Sequence, residues 1–319
     1  MSATWHWIIF HLFLATALWI DLGVIHRRPE TVTTRKALAW SAVWMSMAML
    51  FCLGIYFVDG QHKSVLFLTG YLIEQSLSVD NLFVFYVIFQ YFHVPVKFEH
   101  RILFWGIVGA LVTRLSFILA GVALLERFSW LTFVLGAFLV LTAARLAFAR
   151  DREVHPEKNP VFRLLKPLMS GHSYDSGKFF HWKKGRLLIT PALVVLLVIE
   201  STDIVFAVDS IPAVLAVTTD PFIVYTSNAF AILGLRSLYS AIGKLIVTFQ
   251  FLHHGLAVIL GFIGVKMLIS HWYHMPVGVT LGVVVTVLSS TVVSSIWMQK
   301  VALNKKKKHA GHRPPHAGA

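Results

Sequence analysis

Long apolar stretches, separated by short polar ones, dominate the pattern of this chain. A transmembrane helix needs about 20 mainly apolar residues, and nine stretches approach or exceed that length. They cover roughly residues 7–25, 37–58, 64–92, 102–125, 130–149, 187–217, 221–243, 249–271 and 277–298. We therefore predict an all-α polytopic membrane protein with about nine transmembrane helices.

The composition excludes the main soluble classes. Of 319 residues, 57% are hydrophobic and only 13% are charged, whereas soluble domains carry about 25% charged residues. A soluble core of this length could not hide so much apolar surface. The single cysteine, Cys52, excludes a disulfide framework and a thiolate metal cluster.

The basic residues predict the topology. Most of the 28 Lys and Arg residues fall in alternate connections, in the 150–186 loop and in the tail from Lys300. By the positive-inside rule, this places the N-terminus outside and the C-terminus in the cytoplasm. The net charge of +13 is therefore a topology signal, and no nucleic acid partner is expected. We predict a transporter domain over 1–299 and a disordered basic cytoplasmic tail over 300–319.

Two of the apolar stretches contain acidic residues in their interior. Glu74 and Asp80 lie in the third, and Glu200, Asp203 and Asp209 lie in the sixth. Placing one Asp at the centre of a transmembrane helix costs about 2.5–3.5 kcal/mol. Five such groups require compensation by partners inside the protein.

These two stretches also align with each other. When Asp80 is aligned with Asp209, LSVDN falls on FAVDS and Glu74 falls on Asp203. Further along, TAARL resembles IGVKM, which places Arg145 opposite Lys266. Three spans, about 64–149, thus repeat as about 187–271. An odd number of spans inverts the second copy, as in many secondary transporters.

Helix breakers suggest how the acids could meet. Pro191 and Pro212 lie in the sixth stretch, and Gly70 lies in the third. We predict that both acidic helices are discontinuous and that freed carbonyls join the carboxylates around a cation, with Asp80 and Asp209 close together. Straight helices with dispersed acids would contradict this prediction.

The candidate ligands are hard oxygen donors, which suit Mg²⁺, Ca²⁺ and Mn²⁺. The predicted metal ligands are Glu74, Asp80, Asn81, Glu200, Asp203 and Asp209. Auxiliary candidates are Ser78, Ser210, Arg114, Arg236 and Lys266. The residues alone do not separate manganese from calcium, magnesium or a proton. Structural ion pairing between these acids and the bases of the spans is the alternative interpretation.

Three segments resemble a known family. TGYLIEQSLSVDNLFVF, IESTDIVFAVDSIPAVLAVTTDPFIV and SNAFAILGLRSLYS are similar to the TerC family, and most similar to its bacterial Alx-type members. The resemblance implies an inner-membrane protein of the LysE-like transporter superfamily, named for tellurium resistance and associated with manganese export. It implies the same six ligands, although Gln75 stands where Alx-type proteins usually have Lys.

The leading hypothesis is therefore Mn²⁺ export by alternating access, with H⁺ or Na⁺ as candidate coupling ions. In this hypothesis Mn²⁺ is the transported ion, and the other molecules in contact with the protein are membrane lipids. We expect neither enzymatic activity nor a prosthetic group. One alternative is a membrane platform that delivers Mn²⁺ to secreted enzymes or organises a metal- or tellurium-stress complex through its 150–186 loop. A more distant alternative is a haem-binding redox protein using His11 and His253.

Overall fold

The computed structural model describes the chain in eight ranges. These are residues 3–20, 34–148, 155–169, 174, 179–183, 186–239, 252–273 and 275–310.

Helices account for nearly all of the described residues. The long helices are α1 (Ala3–Ile20), α2 (Thr34–Asp59), α3 (Gln61–Tyr91), α4 (Val96–Arg127), α5 (Leu131–Phe148), α7 (Pro191–Leu215), α8 (Pro221–Tyr239), α9 (Leu252–Ile269) and α10 (Val277–Ala310). Seven of them, α2 to α5, α7, α9 and α10, are long and apolar enough to cross a membrane. The other two, α1 and α8, have 18 and 19 residues and match the first and seventh apolar stretches. The prediction of an all-α polytopic membrane protein is confirmed.

A short polar layer separates α5 from α7. It contains α6 (Pro160–Leu165) and an antiparallel pair of strands, β1 (Phe180–Lys183) and β2 (Arg186–Ile189). Asn159 caps α6 by accepting a hydrogen bond from the Val161 amide at 2.9 Å. Tyr174 ties this layer to the end of α3, because its hydroxyl donates to the Phe92 carbonyl at 2.9 Å. Burial raises the pKa of Tyr174 to about 12, which extends to higher pH the range in which this hydroxyl is a donor.

The two acidic helices are not broken, which corrects the predicted discontinuity. The helices α3 and α7 run without interruption for 31 and 25 residues. Pro191 is the first residue of α7, where proline costs no intrahelical hydrogen bond, and Pro212 begins its last turn, so that only three helical residues follow it. Gly70 serves close packing instead of a break, since a Cβ there would lie 2.9 Å from Ser227 Oγ on α8.

The predicted disordered tail also needs correction. Helix α10 continues through the Lys-rich segment to Ala310. Ala, Leu and Lys favour helix, and the first strong breaker after the apolar stretch is Gly311. Residues 311–319 lie outside the described ranges.

The pairing of helices follows the predicted repeat. The most extensive helix pairs are α5–α9, α3–α8 and α4–α7. A two-fold axis that exchanges α3 with α7, α4 with α8 and α5 with α9 would superpose the α3–α8 pair on the α4–α7 pair. It would superpose the α5–α9 pair on itself. The centre of the apolar core lies where these helices meet, around Phe67, Val214 and Phe230, which are at most 1% exposed. The middle of this core is where polar side chains require an explanation.

Candidate cation site

Arg114 of α4 is the centre of a polar cluster inside the apolar core. Its guanidinium group forms a bidentate salt bridge with Asp203 of α7. Nε donates to Oδ2 at 3.2 Å, and Nη2 donates to Oδ1 at 3.1 Å. Its Nη1 contacts the Glu74 carboxylate of α3. Bidentate pairs of this kind add geometric specificity as well as energy. One cation therefore holds carboxylates from two different helices.

Two neutral side chains complete the arrangement. Arg114 Nη1 donates to Asn228 Oδ1 at 2.7 Å and to Ser210 Oγ at 3.4 Å. Asn228 Nδ2 in turn donates to Glu74 Oε2 at 3.1 Å. We call these five residues, Glu74, Arg114, Asp203, Ser210 and Asn228, the Arg114 cluster. All five are at most 5% exposed, so water contributes almost nothing to their solvation.

The charge of the cluster is not balanced. Two carboxylates face one guanidinium, which leaves a formal charge of −1 when both acids are ionised. A buried charge costs several kcal/mol unless it is paired and hydrogen-bonded. The surplus indicates either a bound proton or a place for a further cation.

The origin of the two acids agrees with the sequence repeat. Glu74 and Asp203 are the positions that the alignment of α3 with α7 superposes, and here they contact the same guanidinium. The helices α3, α4, α7 and α8 each contribute to the cluster, two from each predicted repeat. Residues at the crossing of inverted repeats can change partners when one repeat moves against the other.

Two more predicted ligands lie next to the cluster with unsatisfied polar atoms. Ser78 and Asn81 follow Glu74 on α3 at helical spacings of four and seven, which places all three on one face. Both are buried, and Ser78 Oγ and Asn81 Nδ2 have no hydrogen-bond partner. Buried polar atoms without partners are rare and costly. The Ser78 hydroxyl oxygen could bind a cation, whereas the Asn81 NH2 group is a donor and needs an acceptor such as a water molecule.

A small cavity adjoins the cluster. Its volume is about 20 Å³, and its lining includes Arg114, Asp203, Leu82 and Phe85. A single water needs about 10–15 Å³ by this measure. The cavity has the volume of one water molecule, but nine of its eleven lining residues are apolar.

Glu200 occupies a notch one turn before Asp203 on α7. It is half-buried, and its Oε1 atom has no hydrogen-bond partner. The notch is made by Gly106 and Gly109 of α4, where a Cβ on Gly109 would collide with the Glu200 carboxyl group. Because Gly109 has no Cβ, α4 and α7 can approach each other with the Glu200 carboxyl group between them.

The other predicted residues lie further from the cluster or have different contacts. Asp80 is half-buried on α3, and Asp209 on α7 accepts a hydrogen bond from Thr142 Oγ1 at 3.4 Å. Within the described part of the chain, no group of three or more His, Cys, Asp or Glu residues is placed to hold a metal ion. A single site formed by all six predicted ligands therefore stays a prediction.

Lys266 and Arg236 are the other two cationic side chains among the predicted auxiliary residues. Lys266 is half-buried on α9, and its Nζ donates to the Ala216 carbonyl at 3.4 Å. Ala216 is the C-terminal cap of α7, so Lys266 stabilises the negative end of that helix. Arg236 lies on α8, and its side chain is outside the described part of the structure.

Sequence reasoning did not single out Asn228. The residue lies in the middle of α8, in the quoted segment SNAFAILGLRSLYS, and it bridges Arg114 and Glu74. An amide within an apolar span is itself a signal, because it needs partners that lipid cannot provide.

Comparison with known proteins gives consistent matches. A profile described as "Integral membrane protein TerC family" matches residues 59–303. The "Uncharacterized membrane protein STKORF319" of Myxococcus xanthus is 46% identical, over 91% of each chain. The "Putative membrane-bound redox modulator Alx" of Escherichia coli (strain K12) is 43% identical, over 92% of this chain and 94% of the relative. The protein of that name from Photorhabdus laumondii is 40% identical, over 92% and 95%. No solved structure matches this chain.

Proposed function

On the premise that this chain belongs to the TerC family of integral membrane proteins, we propose that it is a secondary transporter that exports Mn²⁺ from the cytoplasm. Transport proceeds by alternating access, with the carboxylates of the Arg114 cluster as the central binding groups. The protein is a carrier without enzymatic activity or a prosthetic group.

The convergence of Glu74 and Asp203 on one guanidinium is the observation that carries this proposal. In this arrangement, Arg114 occupies the position that a cation would take between the two acids. A divalent cation that displaces the guanidinium gains both carboxylates at once, and Arg114 returns to them when the cation leaves. Exchange of this kind keeps the two acids paired at every step, and it requires the displaced guanidinium to move to another acceptor or to water while the cation is bound.

The donor types support a hard divalent cation. Carboxylate, amide and hydroxyl oxygens from Glu74, Asp203, Ser78 and Asn81 suit Mn²⁺, Mg²⁺ or Ca²⁺ better than copper or zinc. The choice of Mn²⁺ among these rests on the resemblance to Alx-type members of the family.

The name of several relatives, "Putative membrane-bound redox modulator Alx", points to redox modulation. The chain contains one cysteine, Cys52, and so cannot form an internal disulfide. Its thiol is buried and lies 3.2 Å from Ser64 Oγ between α2 and α3. Transport of a redox-active metal ion would explain such a name better than thiol chemistry would, because the single cysteine of this chain is buried. A platform role for the 150–186 loop is a separate candidate and is not needed for flux.

The placement in the cell follows from charge. The distribution of Lys and Arg supports an N-terminus outside and a C-terminus in the cytoplasm, and the resemblance to Alx-type members supports the bacterial inner membrane. The sequence has no nucleotide-binding motif, so H⁺ or Na⁺ gradients are the proposed energy sources.

A flux assay in proteoliposomes tests the proposal. Purified protein should move Mn²⁺ in a saturable manner, and an imposed pH or Na⁺ gradient should change the rate if that ion is coupled. Competition by Mg²⁺, Ca²⁺ and Zn²⁺ ranks the cargo. Flux no greater than in protein-free liposomes, in every gradient, would refute the transporter assignment.

A further inference from the structure

A second pocket lies between the end of α3 and the polar layer that precedes α7. Its volume is about 700 Å³, and its lining includes Tyr91, His93, Phe162, Lys166, Met169 and Pro191. Sites for small molecules typically span about 300–1,000 Å³ and combine apolar walls with a few polar groups. We call this space the His93 pocket.

His93 has a backbone conformation that favours glycine. Its φ is +50°, and within the described ranges it is the one residue other than glycine with a positive φ. The His93 amide donates to the Gln90 carbonyl at 3.1 Å, and the next amide along, that of Val94, donates to the Phe89 carbonyl at 3.0 Å. This is the Schellman pattern of a helix end, in which glycine usually takes the position of His93 because a Cβ there is strained. Strain of this kind at the edge of a pocket indicates a role for the side chain.

The His93 imidazole has one nitrogen bonded to the protein and one available to a ligand. Nδ1 lies 3.1 Å from the Tyr91 carbonyl oxygen, and because a carbonyl only accepts, Nδ1 donates this hydrogen bond. Nε2 is the remaining nitrogen, and the side chain is exposed. A bound anion favours the protonated imidazole, in which Nε2 donates as well.

Lys166 supplies a second cationic group to the same pocket. It begins a 3₁₀ turn, Lys166–Leu168, that follows α6, and its side chain is exposed. Two contacts hold this layer against the end of α3. The Phe162 ring lies 5.0 Å from the Phe92 ring, and the Tyr174 hydroxyl donates to the Phe92 carbonyl at 2.9 Å. The fold therefore brings Lys166 and His93 to one space although they are far apart in sequence.

The electrostatics of the pocket favour an anion. The C-terminal end of α3 and the N-terminal end of α7 both adjoin it, so their opposite dipole charges offset each other and the side chains decide the sign. The polar layer, in its described residues between 155 and 190, contains five Lys or Arg residues and one acid, Glu157. Glu157 lies 3.0 Å from His155 Nδ1 and is not part of the pocket lining.

Apolar side chains in and beside the pocket indicate that the anion belongs to a lipid. Phe162 and Met169 line the pocket, while Leu164 and Leu168 beside it are 72% and 57% exposed. Exposed leucines at the end of a transmembrane bundle suit contact with acyl chains. On the predicted topology the end of α3 faces the cytoplasm, the side on which basic pockets meet anionic phospholipids.

We propose that the His93 pocket binds an anionic phospholipid of the inner leaflet, whose phosphate pairs with Lys166 Nζ and His93 Nε2 and whose acyl chains pack against Phe162 and Met169. A zwitterionic headgroup adds a positive charge that this basic surface repels. The proposal is separate from Mn²⁺ export and does not rest on it.

Native mass spectrometry of the full chain in detergent tests the proposal. The probes are dioleoyl phosphatidylglycerol and dioleoyl phosphatidylcholine, which share their acyl chains and differ in net charge. We expect one phosphatidylglycerol per chain to bind about tenfold more tightly than phosphatidylcholine, because two basic groups contact its headgroup. Inorganic phosphate is the third probe and should not displace the lipid at equal concentration.

Three variants locate the binding. Lys166→Gln should weaken phosphatidylglycerol binding about fivefold. Lys158→Gln is the matched control, since it removes one charge from the same layer outside the pocket lining, and it should bind as the wild type does. His93→Gly should also weaken binding, yet it should unfold at or above the wild-type temperature, because glycine adopts a positive φ without strain. Loss of a merely structural residue would lower the unfolding temperature.

Any of four results would overturn the proposal. The first is equal affinity for the two lipids, and the second is unchanged phosphatidylglycerol binding by His93→Gly. The third is an equal loss in Lys166→Gln and Lys158→Gln, which would indicate general attraction to surface charge. The fourth is displacement by inorganic phosphate at equal concentration, which would assign the pocket to a free phosphate compound. Mn²⁺ is absent from the assay, so the transporter proposal stands or falls separately.

Discussion

Two groups in this protein have the same charges and very different surroundings. The Arg114 cluster combines two carboxylates with one guanidinium at the centre of the core. Lys63 combines with Asp59 and Asp220 at helix ends, at 3.8 and 3.2 Å, and the three side chains are 22–43% exposed. Each group has a formal charge of −1 when all members are ionised.

Burial makes the difference between them. An exposed ion pair contributes about 0–1 kcal/mol because water solvates each partner anyway. Removing one partner of a buried pair costs about 3–5 kcal/mol, because the remaining charge has no solvent. The Lys63 group can therefore tolerate its surplus charge, whereas the Arg114 cluster requires a compensating feature. Because of this contrast, we assign cation binding to the Arg114 cluster.

The largest effect is expected from Arg114→Leu. It leaves Glu74 and Asp203 buried without their cation and should lower the free energy of unfolding by about 3–5 kcal/mol. Thermal unfolding followed by size-exclusion chromatography measures this. Arg127→Leu, at the end of the same helix, is the control and should melt close to the wild type. Equal melting of both variants would remove the energetic basis of the comparison.

A second pair of variants separates transport from folding. Glu74→Gln and Asp203→Asn keep hydrogen-bonding groups near Arg114 but remove negative charge. We expect both to insert and melt within a few degrees of the wild type and to lose nearly all Mn²⁺ flux. Asp59→Asn, in the exposed group, should retain flux. Full flux in both cluster variants would limit these acids to structural pairing.

The predicted ligands outside the cluster have their own test. Asp80→Asn and Asp209→Asn should each abolish Mn²⁺ flux while the protein remains inserted in the membrane, if the cation contacts these acids along its path. Flux in proteoliposomes and recovery of the inserted protein are measured together. Normal flux in both variants would confine the path to the Arg114 cluster.

A smaller effect is expected at the helix contact beside the cluster. Gly109→Ala should force the Glu200 carboxyl group out of its notch and cost about 1–3 kcal/mol, as overpacking typically does. Gly278→Ala is the matched control, because its added Cβ meets no atom within 4 Å. Chemical unfolding of the two variants checks the difference. A Gly109→Ala protein as stable as its control would show that the notch is not needed.

The smallest effect belongs to the exposed group. Lys63→Met should change the free energy of unfolding by no more than about 1 kcal/mol, and added salt should reduce the difference further. Melting at low and high ionic strength measures it. A loss as large as that of Arg114→Leu would mean that exposure does not distinguish the two groups.

The sequence predicted more about which residues matter than about how they meet. Hydropathy placed the helices, and the alignment of Glu74 with Asp203 identified two acids that share a partner. It could not show that Arg114 is this partner, because the approach of α4 to α3 and α7 is set by tertiary packing and not by a local sequence pattern. The broken helices were wrongly predicted, since breakers at a first turn, a last turn and a tight crossing look alike in sequence. The Gly109 notch depends on how α4 and α7 approach each other, which no local pattern encodes.

The most direct measurement of the central claim is Mn²⁺ binding to the purified protein by electron paramagnetic resonance, which separates free from bound Mn²⁺. If the Arg114 cluster binds the cation, the wild type should take up about one Mn²⁺ per chain, and Glu74→Gln and Asp203→Asn should each lose that binding while Lys63→Met keeps it. Equal Mn²⁺ binding by the wild type and both cluster variants would contradict the claim.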